Sequence, residues 1–159
     1  MVGSPAPAVK GNFTMKSSGA FFLVSALFEL GSITSDVPLF GDVREGAVAV
    51  LYHLVYIGVF VAMGVALLRP RPWGLYAVLG GTGYYTLERV LFAFDSSARK
   101  AEIARALQGH EEVASMIPTD SLLGIGTAAT LLMVVAWWGF AGYAYVRREY
   151  FIGSTTAPR

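Results

Sequence analysis

Ala77 to Asp95, AVLGGTGYYTLERVLFAFD, is apolar enough to lie in a bilayer, yet it carries Glu88 and Arg89 side by side. Ionisable groups inside a membrane are costly and turn toward the protein interior or a wet cavity, where they are paired. A chain with such a helix has to supply partners from other helices. Glu29 and His53 interrupt two other apolar stretches and are the candidates. The constraint is therefore a helical bundle assembled around a polar layer.

Composition points the same way. Of 159 residues, 55% are hydrophobic and 14% charged, with a mean hydropathy of +0.55. A soluble domain carries about 25% charged residues. The expected fold class is all-α, an integral membrane four-helix bundle with a short amphipathic helix in the third loop. A formal net charge of +1 offers nothing for nucleic acid. The absence of cysteine excludes disulfides, thiol redox chemistry and thiolate metal sites. The two histidines, His53 and His110, fall in different environments, so neither a metal site nor a haem held by two histidines is expected, and no other cofactor is implied.

Residues 1–18 read as a disordered leader with Pro5, Pro7, Gly3 and Gly11, and Met15 followed by Lys16 is an alternative start. Asn12-Phe13-Thr14 fits a glycosylation sequon, on the side assigned here to the cytoplasm. The first span is expected over 19–36. Its Ser25, Glu29, Ser32 and Asp36 share one helical face, which would point into a bundle. Pro38 to Asp42 breaks the helix, and Asp42, Arg44 and Glu45 form a polar loop. The second span covers 47–68, with His53 on a packing stripe between Gly46 and Gly64 and flanked by Tyr52 and Tyr56. Arg69-Pro70-Arg71-Pro72-Trp73-Gly74 is a turn at a headgroup boundary. The third span covers 73–94, where Gly80-Gly81-Thr82-Gly83 lets a neighbouring backbone approach. This glycine run lies inside an apolar helix, so it is not a phosphate loop.

Residues 95–120 form an outer loop. Ser97 to Leu107 suits a short amphipathic helix stopped at Gly109, either a lid or a plain connector. His110, Glu111 and Glu112 read as a solvated charge run. The fourth span covers 121–145, with Gly126 and Thr130 at small-residue spacing. The bundle closes at 148, and 149–159 is a short tail.

Basic residues set the orientation. Seven (Lys10, Lys16, Arg69, Arg71, Arg147, Arg148, Arg159) lie on one side and four (Arg44, Arg99, Lys100, Arg105) on the other, which places both termini in the cytoplasm. Glu29, His53, Glu88 and Arg89 then fall roughly 8 to 12 Å inside the outer boundary, at 1.5 Å per residue. Neighbours point about 100° apart on a helix. The simplest pairing is therefore Arg89 with Glu29 and Glu88 with His53.

Two functions from different classes follow. In the leading one the polar layer sets helix register, and the chain is a non-catalytic accessory or scaffold subunit packing against a membrane partner or a second copy. In the alternative, Glu29, His53, Glu88 and Arg89, with Tyr52, Tyr56, Tyr84 and Tyr85, line an outward-facing polar chamber. That chamber binds or converts a lipophilic small molecule, with His53 and Glu88 as the acid–base candidates. The short first span, the second span ending near Arg69, the Trp73-Gly74 re-entry and the Tyr145-x-Arg147-Arg148-x-Tyr150-Phe151 exit resemble small uncharacterised bacterial four-span membrane proteins. The resemblance implies a bacterial inner-membrane location and carries no activity or site residue.

Overall fold

The apolar runs fold as helices, and prolines and polar residues set their limits. The computed structural model describes residues 12–39, 42–109 and 117–152. Among these are six helices: α1 (Asn12–Gly31), α2 (Gly46–Leu68), α3 (Gly74–Phe94), α4 (Ser96–Ala106), α5 (Thr119–Val146) and α6 (Glu149–Ile152). Two helices, α2 and α5, are long and apolar enough to cross a membrane.

Three expected boundaries shift. α1 begins at Asn12 rather than Gly19, because Met15 is fully buried against Leu67 and Met63 at one end of the bundle. The polar Lys16, Ser17 and Ser18 obscure this in the sequence. α1 also ends early, at Gly31. Ser32 to Ser35 then form a turn, with Ser35 N–H donating to the Ser32 carbonyl at 2.8 Å. Beyond it, the expected polar loop is a small antiparallel hairpin of β1 (Val37–Leu39) and β2 (Asp42–Arg44), with Val37 opposite Arg44. Pro38 cannot continue a helix and biases Val37 to extended backbone. The third shift is at the C-terminal end. Residues 149–152 fold back as α6, burying Tyr150 and Phe151, where a short tail was expected, and 153–159 lie outside the described residues.

α1 and α2 cross closely at two glycines. A Cβ on Gly19 would stand 3.0 Å from the Gly64 carbonyl oxygen, and one on Gly64 would stand 2.7 Å from Leu23. Small residues of this kind allow helices to approach where packing alone drives association. Gly81 does the same between α3 and α2, since a Cβ there would lie 2.4 Å from Met63 Sδ. Gly80 and Gly83 face open space, so one glycine of the run performs the expected role.

The bundle is layered along its length. At one end Met15, Leu67, Val78, Ala144, Tyr150 and Phe151 form a closed core. Tyr150 O–H donates to the Leu67 carbonyl, tying α6 under α2. Above this lies an aromatic layer. Phe22 of α1 packs against Trp137 and Phe140 of α5 at ring separations of 5.5 and 5.9 Å. Tyr85 of α3 stacks on Trp137 at 4.2 Å. Beyond that layer the helices line a cavity.

Candidate functional site

The cavity, about 420 Å³, opens at the end of the bundle away from the closed core. α1 contributes Glu29 and the turn after it Ser32, α2 Tyr52 and His53, and α3 Glu88, Arg89 and Phe92. α4 brings Arg99 and Glu102, and α5 brings Gly126, Thr127 and Thr130. The four ionisable residues expected in one layer are thus in one place. Their pairing differs from the expected one.

His53 is 5% exposed and bonded on both sides of its ring. Nδ1 lies 2.7 Å from Glu29 Oε1, and Nε2 lies 3.0 Å from the Ser35 carbonyl oxygen. A carbonyl can only accept, so Nε2 carries a hydrogen. Nδ1 then either donates to an ionised Glu29 or accepts from a protonated one. One proton lies between the two side chains in both cases, and neither ring nitrogen has a free lone pair.

Glu88 is equally committed. Its Oε2 accepts from Tyr56 O–H at 2.9 Å and its Oε1 from Tyr52 O–H at 3.3 Å. Arg89 Nε stands 2.9 Å from Oε2, close enough for charge attraction, but its N–H is not aimed at that oxygen and the buried atom has no hydrogen-bond partner. Glu88 thus pairs with Arg89 and not with His53, and Glu29 with His53 and not with Arg89. The 100° between sequence neighbours limits where their Cβ atoms point, but two long side chains can still bend back to each other. The Arg89 guanidinium also lies 5.4 Å from the centre of the Tyr85 ring, a cation–π distance.

The tyrosines divide between roles. Tyr52 lines the cavity. Tyr56 is buried, its ring 5.4 Å from that of Tyr84. Tyr84 instead faces a second, apolar groove of about 330 Å³ on the outer side of α2 and α3, beneath Leu39 and Ala98. Tyr52, Glu88 and Phe92 wall both spaces. Tyr85 belongs to the aromatic layer.

α4 covers the cavity with its polar side. Its start is fixed by Asp95, whose Oδ1 accepts from the Ser97 and Ala98 N–H groups at 3.0 and 2.9 Å. Two of its arginines then reach across. Arg99 Nη1 donates to Thr127 Oγ1 at 2.7 Å, and Arg105 Nη1 donates to the Asp36 carbonyl at 2.6 Å. Arg99, Thr127 and Thr130 were not expected at the site. The signal available was the spacing of Gly126, Thr127 and Thr130, a polar patch within an apolar helix. Gly126 meets nothing within 4 Å, so it leaves room in the cavity rather than seating a helix.

Among the described residues no group of histidines and acids could hold a metal ion. His110, Glu111 and Glu112 lie outside the described residues. The chain matches no protein family, no curated protein and no solved structure.

Proposed function

We propose that this protein is a four-span membrane bundle whose polar chamber binds a lipophilic small molecule without converting it. In this reading α1 and α3 cross the bilayer beside α2 and α5, and the chamber lies under the outer surface with α4 as its cover. Support for the membrane setting comes from the exterior, where large apolar side chains such as Phe21, Phe28, Leu132 and Val135 are each at least 66% exposed. Acyl chains would cover these surfaces, whereas water would not tolerate so much contiguous apolar area.

The observation that carries the binding reading is a cavity of ligand size, lined from five helices, in which Glu29, Glu88 and His53 already have partners. Pockets for small molecules combine apolar walls with a few fixed polar groups. Against conversion, a general base needs a free lone pair within reach of its proton. His53 has none while it stays bonded to Ser35 and Glu29.

A second reading, the accessory subunit, is favoured by α5. Gly124, Ala128, Val135, Gly139 and Gly142 form an outward stripe, and the three glycines meet nothing within 4 Å. Such a stripe would accept another helix closely. One experiment separates the readings: native mass spectrometry of the protein extracted gently from its own membrane. A single chain type retaining a discrete lipophilic mass supports the chamber. A partner polypeptide at fixed stoichiometry with no bound small molecule sinks it in favour of the subunit role. The topology has its own test, because the chain has no cysteine. Single cysteines placed at Lys10, Arg71 and Arg148 should label from one side, and one at Arg44 from the other.

A further inference from the structure

We infer that the ligand's head is anionic, a carboxylate or a phosphate, and that Arg99 is the residue that reads it. This rests on the chamber reading above.

The polar groups of the cavity are unequal in how far they are already satisfied. Glu29 is neutralised through His53, and Glu88 through Arg89 and two phenols. Arg99 is different. It lies on the inner side of α4, partly buried, and lines the cavity. Among the described residues its one hydrogen-bond partner is the neutral Thr127 hydroxyl, and no carboxylate stands within ion-pair distance. Its Nε is buried with no hydrogen-bond partner. The remaining carboxylates of the lining, Asp36 and Glu102, are exposed and form no ion pair among the described residues.

A half-buried guanidinium without a counter-ion is costly unless something supplies the charge. With Nη1 occupied by Thr127, the edge formed by Nε and Nη2 remains, and two parallel N–H groups are the geometry that grips a carboxylate or phosphate. Arg89 lines the same cavity, but its charge is already offset by Glu88. The head of an anionic lipid presents the oxygens that such a guanidinium edge grips. The same chemistry suits a free anion, so the two sources have to be distinguished by the presence of a tail.

The full chain in a neutral detergent would be titrated with three amphiphiles of equal chain length: dodecyl phosphate, dodecanol and dodecyltrimethylammonium. Inorganic phosphate would serve as competitor. Dodecyl phosphate should bind at least tenfold more tightly than the other two. Arg99→Gln should weaken it by roughly 10- to 100-fold, the range for a hydrogen bond to a charged group, and leave dodecanol unchanged. Displacement by millimolar phosphate would assign a free anion, and its failure a lipid head, each within the proposal. Equal binding of phosphate and alcohol amphiphiles overturns the anionic head but leaves the chamber standing. Binding of none of the three overturns the chamber itself. The comparison of head groups uses the unaltered protein, so the test holds even if Arg99→Gln does not fold.

Discussion

Glu29 Oε1 and His53 Nδ1 stand 2.7 Å apart, joining the end of α1 to the first turns of α2 beneath the hairpin. The other side of the same ring holds the Ser35 carbonyl at 3.0 Å. One imidazole therefore fixes both α1 and the chain that leaves it.

His53→Ala should be strongly destabilising. It leaves the Glu29 carboxyl and the Ser35 carbonyl without their partner in a mostly buried place, at a cost of roughly 2–4 kcal/mol. His53→Gln keeps one donor for Ser35 and should lose about half as much. Thermal unfolding in a fixed detergent gives the comparison. Equal melting temperatures for all three proteins would show that the ring is not a tie between α1 and α2.

The glycine run of α3 makes a paired prediction. Gly81→Ala places a methyl against Met63 Sδ and 3.1 Å from Val59 Cγ1, and Met63, fully buried, would have to shift. Overpacking of this kind costs about 1–3 kcal/mol. Gly80→Ala meets nothing and should leave stability unchanged or slightly higher. Equal loss in the two variants would place the α2–α3 contact elsewhere.

Tyr150 gives the chain an alkaline limit. Burial pushes its hydroxyl above the ordinary value of 10.0. The folded protein thus holds the phenol neutral at a pH where the unfolded chain ionises it. The stability from this group is complete below about pH 10, the ordinary phenol value, and is lost as pH rises through the raised folded value. Tyr150→Phe removes the bond to the Leu67 carbonyl, lowering stability at neutral pH by about 1 kcal/mol, and should flatten the decline above pH 10. Unfolding midpoints between pH 8 and 11 test both effects.

Asp95→Ala should loosen α4 without unfolding the bundle. The cap bonds to Ser97 and Ala98 contribute about 1 kcal/mol, and α4 is otherwise held by Arg99 and Arg105 at its polar face. Hydrogen exchange should accelerate within 97–106 and stay unchanged in α2. Protection unaltered in α4 would mean that its arginine contacts alone hold it down.

How far a sequence reaches depends on the range of the forces involved. The apolar runs, the prolines at 38, 70 and 72, and the stop at Gly109 act within a turn or two of chain. From these alone the limits of α2, α3 and α5 were legible to within a residue or two, as was the amphipathic α4. So was the common level of Glu29, His53, Glu88 and Arg89, which line one cavity, because rise along a helix is constant and three helices of similar length run side by side. Azimuth was not. Which acid meets which base depends on how each helix is rotated and on where long side chains bend. The pairing therefore came out exchanged, Glu29 with His53 and Glu88 with Arg89. The same holds for Arg99 reaching Thr127 across 28 residues, for Met15 in the core, and for Phe151 folding back onto Gly74. Local chemistry marked the helices and the level of the polar layer. Only packing between distant segments decided the contacts that make that layer a chamber.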